Sequence, residues 1–396
     1  MLHHHQHEQQ QLDVSQVSLQ QSNSMSLQPP PAAGSSCSLI SNIEQLPTEL
    51  LTQILSELDQ TSLGRCAQLS RFWLELTSQP QLWRKIRIDS RTADPELAQR
   101  ICDWPGGRVR EISAVRLAAK HRLPLLLAAS ASLTSLCLKE MQGDLVLKEA
   151  GRSCQNLREL RLECCNEMLS FDSVSGLLTG CPSLSLLQYT GSLSDLFAPS
   201  DEHRVAPLFH SLVSRLSSLK LHLLMTESLP PQWFAALPEC PRLTSLYVSI
   251  ADWRGLAHLP SKMPNLTDLS VLTSQPASQA NLQLGRLPHL QRVKICDFSF
   301  QSWSLDAILS VLRGVRELRS FMLDGCVHLT GQQYRQVVRA LSARLTDLRF
   351  GGCFRNRVAE VDLQEPLPPG LRRLQVDGFK WGTSGVQFAS ALASCS

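Results

Sequence analysis

The segment CQNLRELRLECC, residues 154–165, contains the pattern from which the fold is predicted. Its apolar residues Leu157, Leu160 and Leu162 follow the spacing apolar-x-x-apolar-x-apolar. The alternation at Leu160 and Leu162 is typical of a strand with one buried face, because successive strand side chains point to opposite sides. The stretch therefore predicts a short strand whose leucines face a core and whose intervening charged residues face away from it.

The same spacing recurs from residue 83 onward. All but one of the intervals between successive copies lie within roughly 20–29 residues, a period typical of solenoid repeats. Such a period predicts a solenoid, since one copy cannot bury its apolar face alone and stacking makes a continuous core. The longest interval, between Leu184 and Leu216, predicts an inserted loop within 191–210. The copies start at Trp83, Val109, Leu133, Leu157, Leu184, Leu216, Leu243, Leu266, Leu290, Leu318, Leu345 and Leu371.

Cysteines sharpen the repeat pattern. Some lie three residues before the leading leucine and others three residues after the last apolar strand residue; these are Cys154, Cys181, Cys240, Cys165, Cys326 and Cys353. The spacing resembles the cysteine-containing class of leucine-rich repeats, although several repeats lack one or both cysteines. The resemblance implies a curved solenoid with a parallel sheet on its concave side. We expect these cysteines to be small buried hydrophobes.

A different pattern precedes the repeats, in LPTELLTQILSELDQTSLGRCAQLSRFWLELTSQPQLW, residues 46–83. Leucines and isoleucine between residues 50 and 58 share one broad helical face. The short polar residues 59–62 predict the start of a second helix. That second pattern continues to Leu76 and is apolar over a wider arc than one buried face requires.

This string resembles an F-box, with its Leu-Pro start, acidic Glu49 and closing Leu82-Trp83. The resemblance implies a bundle of short helices that docks on a Skp-type adaptor. About forty residues cannot bury so many large side chains, so a partner or the rest of the chain must cover the surplus. The adaptor-binding residues that the resemblance implies are Leu46, Pro47, Leu50, Leu51, Ile54, Leu55, Leu63, Cys66, Leu69, Trp73 and Trp83.

The resemblance implies an α/β chain of three parts: a disordered tail (1–40), a small helical F-box (41–88) and a leucine-rich-repeat solenoid (89–396). It also implies the substrate-recognition subunit of an SCF-type cullin–RING ubiquitin ligase, whose repeats hold a protein substrate. The alternative is a repeat scaffold, or an adaptor-binding protein that acts outside ubiquitination.

Residues between the apolar strand positions are the candidate substrate contacts, because open solenoids bind partners there. The later strands lean basic, which suggests an acidic or phosphorylated segment. The alternative is ordinary solvated strand charge. The candidates are Glu159, Arg161, Glu163, Tyr247, Arg292, Lys294, Arg349 and Arg373.

Composition excludes several other classes. A net charge of +3 on 396 residues indicates neither a nucleic-acid nor an anionic-membrane surface. No apolar run is long enough to predict a membrane helix, and the N-terminus lacks a signal-peptide pattern, so we expect an intracellular protein of the cytoplasm or nucleus. The tail is rich in Gln, Ser, His and Pro, and its histidines are interpreted as solvated side chains and not as a metal site.

Catalytic signatures are missing from the sequence as well. It contains no hydrolase motif, P-loop or G-x-G-x-x-G loop, and no paired C-x-x-C clusters. We therefore expect no catalytic residue, no metal and no cofactor. A hydrolase built on a repeat frame remains the third alternative.

Overall fold

The computed structural model describes residues 43–89, 109–116, 131–141, 145–165, 169–192, 202–223, 227–274, 283–297, 303–324, 331–351 and 369–376. The predicted disordered tail, Cys326, Cys353 and the chain end lie outside these residues. The chain divides into two compact units between Pro47 and Thr48. In the first unit, Ile43–Gln45 forms a 3₁₀ turn, and the Leu46 amide donates to the Ile43 carbonyl at 3.1 Å.

The second unit begins with three short helices and a 3₁₀ turn. They are α1 (Thr48–Ser56), α2 (Gln60–Ala67), α3 (Arg71–Thr77) and the turn Pro80–Trp83. Helix α3 packs against both α1 and α2, and the turn packs against α1. The predicted helical bundle is therefore present.

The single second helix expected from the sequence is wrong, because the chain forms α2 and α3 instead. The Asp59 carboxylate accepts from the Ser62 amide at 2.7 Å and caps α2 as predicted. The Ser70 hydroxyl accepts from the Trp73 amide at 3.4 Å and starts α3. A side-chain acceptor satisfies an otherwise free N–H at a helix start, so Ser70 favours a new helix there. The apolar residues that would form a wide arc on one helix are therefore divided between two helices, α2 and α3.

Twelve parallel strands form one sheet in sequence order within the described residues. Each strand pairs with the next, and the repeat positions stay in register: Leu160 lies opposite Leu136 on one side and Leu187 on the other. The strands are β1 (Lys85–Asp89), β2 (Glu111–Val115), β3 (Ser135–Lys139), β4 (Glu159–Glu163), β5 (Leu186–Gly191), β6 (Ser218–Leu223), β7 (Ser245–Ile250), β8 (Asp268–Thr273), β9 (Arg292–Asp297), β10 (Ser320–Asp324), β11 (Asp347–Gly351) and β12 (Arg373–Val376).

Between β3 and β11, helical segments connect successive strands and cover one face of the sheet. The leucines of the strands and the apolar sides of these helices form one continuous buried core, as the repeat pattern predicts. The α-helices are α4 (Leu145–Ser153), α5 (Phe171–Gly180), α6 (Glu202–Arg215), α7 (Pro231–Ala236), α8 (Leu259–Lys262), α9 (Leu305–Gly314) and α10 (Gly331–Ala340), and the 3₁₀ helices are Trp253–His258 and Gln283–Arg286.

The inserted loop predicted within 191–210 is only partly correct. Helix α6 occupies the last part of that range, and residues 193–201 lie outside the described part. Val205, Phe209 and Leu212 recur at helical spacing and are buried in the repeat core. Burial of this apolar stripe makes the segment a helix.

Two side chains connect the N-terminal helices, one to the turn that precedes the sheet and the other to β1. The Trp83 indole is buried, and its Nε1 donates to the Thr77 carbonyl at 2.6 Å. The Gln60 amide donates to the Lys85 carbonyl at 3.1 Å and accepts from the Arg87 amide at 3.0 Å. The Gln60 side chain thus bonds the backbone of β1 as a neighbouring strand would.

The contact between α4 and α5 leaves no room for a side chain. A Cβ added at Gly180 would lie 1.4 Å from the Gly151 carbonyl oxygen, whereas one at Gly176 would meet nothing closer than 3.8 Å. We expect Gly180→Ala to lower the free energy of unfolding by about 1–3 kcal/mol, because two backbones must separate. Gly176→Ala, on the same helix, should be neutral or slightly stabilising. Urea unfolding checks this pair, and equal midpoints would contradict the close approach.

Candidate functional site

Exposed apolar side chains are concentrated near the N-terminus of the described chain. Of eight exposed large hydrophobic residues in the part that the structure describes, seven lie between residues 43 and 74. The repeats contribute a single one, on α4. These residues are Ile43, Leu50, Ile54, Leu58, Leu69, Phe72, Leu74 and, on α4, Leu145. Contiguous exposed apolar groups mark partner-binding surfaces in soluble proteins.

Helix α1 has two apolar sides. Leu51 and Leu55 are 1% and 2% exposed and pack inside the protein, whereas Leu50 and Ile54 are 47% and 46% exposed. Residues four apart lie one turn above each other on a helix, so Leu50 and Ile54 form a row. The single broad face predicted from the sequence is therefore divided between the core and solvent.

The predicted adaptor-binding residues also divide into an exposed set and a buried set. Leu50, Ile54, Leu69 and Pro47 are exposed, and Leu46, Cys66 and Trp73 are partly exposed. Four others are buried inside the chain: Leu51, Leu55, Leu63 and Trp83. Their assignment as adaptor contacts stays a prediction.

The sequence reasoning did not select Phe72 and Leu74 of α3 as contact residues. Both are exposed, and the Phe72 ring meets the Trp73 ring edge-on with centroids 5.7 Å apart. The residue at which α3 begins determines which side of the helix Phe72 and Leu74 occupy. Ser70 is of a residue type favoured at helix N-caps, and this is the signal that could have located the start.

A sequence model of the F-box-like family matches residues 43–89. These residues form an F-box-like domain. The match confirms the predicted F-box, and it begins shortly before α1 and ends with β1. All seven exposed apolar residues near the N-terminus belong to the F-box-like domain.

Three solved structures match this chain at low sequence identity. The leucine-rich repeat-containing protein LegL7 from Legionella pneumophila is 14% identical with a TM-score of 0.45, and the match covers 66% of this chain and 90% of LegL7. The TLR13–ssRNA13 complex matches at 13% identity and a TM-score of 0.37, over 73% of this chain and 50% of that one. A Bacteroides fragilis protein matches at 11% identity and a TM-score of 0.28, over 69% and 67%. The leucine-rich-repeat interpretation rests on this chain's own period and sheet, which confirm it.

The strand positions that alternate with the buried ones form what we call the open face of the sheet. In β4 these are Glu159, Arg161 and Glu163, which are partly exposed as predicted. Tyr247 and Lys294 are also partly exposed, and Arg292 is exposed. The open face therefore contains all of the candidate substrate residues named from the sequence.

Charges on the open face are mostly paired. The Arg292 guanidinium binds the Asp268 carboxylate of the preceding strand. Arg349 lies 3.6 Å from Asp324, and Arg373 lies 3.9 Å from Asp347, again one strand back. The basic excess expected at the C-terminal strands is therefore balanced by acids from neighbouring strands, which the one-dimensional pattern does not reveal. Exposed pairs of this kind contribute about 0–1 kcal/mol each.

Charges of β4 are satisfied in the same manner. Arg161 Nη2 lies 2.9 Å from a Glu159 carboxylate oxygen within the strand, and Lys139 Nζ lies 3.3 Å from the Glu163 carboxylate. This end of the sheet presents paired charges to a partner.

An aromatic pair lies near the middle of the sheet. The His222 and Tyr247 rings stack with centroids 3.8 Å apart and an angle of 23° between planes. Burial raises the pKa of Tyr247, so its hydroxyl stays protonated and can donate a hydrogen bond. Tyr247 combines an apolar ring with a polar end, a combination favoured at protein interfaces.

A cleft of about 700 Å³ lies between the α1–α2 turn and the open face of β1–β4. Asp59 and Gln60 line one side, and Arg87, Cys137 and Arg161 line the other. Its mixed charges indicate no particular ligand. The cleft does bring the F-box-like domain and the first repeats to one shared surface.

The cysteines at predicted repeat positions that the structure describes are buried. Burial raises the pKa of Cys154 to about 12 and the pKa values of Cys165, Cys181 and Cys240 to about 11. The Cys165 thiol donates to the Leu138 carbonyl at 3.2 Å, which ties two repeats together. These thiols are protonated near neutral pH and act as core side chains.

Cys164 and Cys165 provide a matched test of this burial. Cys164 is exposed and Cys165 is buried with a pKa of about 11. At pH 8 only about one Cys165 thiol in a thousand is ionised, and the thiolate is the reactive form. We expect iodoacetamide to label Cys164 at least about 100-fold faster than Cys165 in the folded protein, as read by peptide mass spectrometry. Equal rates would contradict the register of β4.

Within the part of the chain that the structure describes, no group of three or more His, Cys, Asp or Glu residues could hold a metal ion. No described helix is long and apolar enough to cross a membrane. The N-terminal histidines lie outside these residues.

Proposed function

We propose that this chain is the substrate-recognition subunit of an SCF-type cullin–RING ubiquitin ligase. Its F-box-like domain binds a Skp-type adaptor, and through it a cullin, while the open face of the repeats binds a protein substrate. The F-box-like match identifies a domain, and the ligase assembly in which that domain acts is the proposed part.

The exposed apolar residues of the F-box-like domain carry this proposal. The repeats bury their leucines almost completely, whereas Leu50, Ile54 and Leu69 remain in solvent. Fully burying a leucine stabilises by about 1.5–3 kcal/mol, and side chains that are about half exposed gain about half of that, so several of them together contribute to the affinity of a complex. A partner with a complementary apolar groove fits this pattern.

The attachment of α2 to β1 supports a rigid receptor. The Gln60 side chain holds α2 to the first strand, and the Trp83 indole ties the turn before that strand to the end of α3. A substrate on the open face would then stay at a fixed place relative to the adaptor. A fixed position raises the effective concentration of a substrate lysine near the conjugating enzyme.

On this proposal, other subunits of the ligase complex catalyse the transfer of ubiquitin. The thiols at repeat positions are protonated core groups, which makes a ubiquitin thioester on them unfavourable. On this proposal the chain is no enzyme, needs no cofactor, and works inside the cell where adaptor and cullin reside. The substrate itself is not specified.

Reconstitution tests the proposal. The purified chain is mixed with a Skp-type adaptor, a cullin–RING pair, conjugating enzyme and ubiquitin, together with proteins that co-purify with its repeats. We expect a stoichiometric complex and ubiquitin transfer to a co-purified protein. A complex with the adaptor that excludes the cullin would favour the alternative, an adaptor-binding scaffold outside ubiquitination, and no complex at all would refute both.

A further inference from the structure

Four side chains form a continuous row across the middle of the open face. Lys220 of β6 lies opposite Tyr247 of β7, Tyr247 lies opposite Ser270 of β8, and Ser270 lies opposite Lys294 of β9. We call Lys220, Tyr247, Ser270 and Lys294 the central row. Every member is partly exposed, so the row is both accessible and partly desolvated.

The two lysines of the central row differ from the arginines of β9, β11 and β12, each of which pairs with an acid. Among described residues, no carboxylate lies within ion-pair distance of either ammonium group. The acid on the open face of these four strands, Asp268, is already bound by Arg292. The central row therefore presents two uncompensated positive charges on a partly desolvated surface, which favours an anionic partner.

The pKa of the His222 imidazole responds to the same two positive charges. Its pKa is lowered first by burial, then by the positive charges of Lys220 and Lys294, against a smaller opposite effect of Glu163. The neutral ring stacks on Tyr247 and holds it in place. An aromatic platform thus lies between the two ammonium groups.

We infer that the central row binds an extended acidic segment of a protein substrate, with one carboxylate on Lys220, one on Lys294, and an apolar or aromatic side chain on Tyr247. The inference rests on the proposed function, and it names the chemistry of the substrate. Partners with two acidic residues and an apolar residue between them fit this surface.

The spacing of the lysines sets the spacing of the acids. Neighbouring strands lie about 4.8 Å apart, so Lys220 and Lys294, three strands apart, are separated by roughly 14 Å. An extended chain advances about 3.4 Å per residue, so acids about four residues apart span this distance. Ser270 and Ser245 beside Tyr247 are small and leave room for the segment.

The test uses two labelled dodecapeptides and the full chain bound to its adaptor. One peptide carries two Glu residues four positions apart with Phe midway between them, and the other carries Lys in place of both Glu. Fluorescence anisotropy measures affinity for the parent protein, for Lys220→Glu with Lys294→Glu, and for Lys139→Gln. Lys139 is the matched control, because it lies on the same face but is paired with Glu163.

We expect the parent to prefer the Glu peptide by at least about 10-fold, the double variant to reverse that preference, and Lys139→Gln to change affinity by less than about 2-fold. Equal binding of both peptides, or equal sensitivity to Lys139→Gln, overturns the inference. A phosphoserine peptide that binds while the Glu peptide does not, or an oligonucleotide that displaces it at lower concentration, also overturns it. Adaptor retention on each variant separates this outcome from failure of the proposed function.

Discussion

Leu50→Asp combined with Ile54→Asp should reduce binding of a Skp-type adaptor by at least about 100-fold, equivalent to roughly 2.8 kcal/mol. Both side chains are nearly half exposed on one row of α1. In the complex each new carboxylate would be buried in an apolar contact without a hydrogen-bond partner. Each substitution also removes an apolar side chain from that contact. The free protein should remain folded, because the row faces solvent.

The chain offers a closely matched control. Leu145 of α4 is 45% exposed, against 47% for Leu50, but it lies outside the F-box-like domain. Leu145→Asp makes the same chemical change at the same exposure. We expect it to leave adaptor affinity unchanged within about 2-fold, and the melting temperatures of both variants to stay near that of the parent.

Isothermal titration with purified adaptor measures the difference. If Leu145→Asp and the α1 double variant lose affinity equally, the surface on α1 is not the docking site. A second comparison uses Leu51→Asp, which changes a buried neighbour. That variant should lose affinity only together with thermal stability, so the two causes of lost binding can be distinguished.

Sequence reasoning located the repeats well because their signal is redundant. Each strand repeats the same apolar spacing, and an error in one copy is corrected by the next. Leu136, Leu160 and Leu187 therefore lie in register as the spacing predicts. The periodic cysteines were equally informative, since Cys154 and Cys181 are buried as small core residues.

Single-copy features were harder to predict. The F-box-like helices occur once, so nothing in the sequence distinguished Leu51, facing the core, from Leu50, facing solvent. That choice depends on how α1 packs against α3, which is a tertiary contact. The long interval between Leu184 and Leu216 predicts a loop, but it contains helix α6, because Phe209 and its neighbours have helical spacing and are buried.

Ion pairs between neighbouring strands are a second feature that the sequence alone does not predict. From the chain alone, Arg292, Arg349 and Arg373 read as a basic surface. In the sheet each lies beside an acid of the preceding strand, which is one whole repeat earlier in the sequence. Only the parallel register makes these contacts local, so the uncompensated charges of Lys220 and Lys294 emerge from the structure and not from composition.

Leu160→Asp should lower the free energy of unfolding of the repeats by about 4 kcal/mol or more, because it removes a core side chain and places a carboxylate among aliphatic groups with no partner. Leu160 is fully buried in β4, between Leu136 and Leu187. Thermal melting and hydrogen exchange measure the loss. Gln188→Asp is the control, because its side chain lies on the open face between Arg161 and Lys220.

The damage should be local, because each repeat of a solenoid contacts only its neighbours. Hydrogen exchange should rise most in β3, β4 and β5 and less toward β9 and β10. The F-box-like helices are attached at β1, three strands away, through the Gln60 side chain. Leu160→Asp should therefore retain adaptor binding at temperatures where β4 has already opened. Loss of adaptor binding in the same transition as β4 would instead mean that the F-box-like domain and the repeats unfold as one cooperative unit, and nearest-neighbour coupling would not describe this chain.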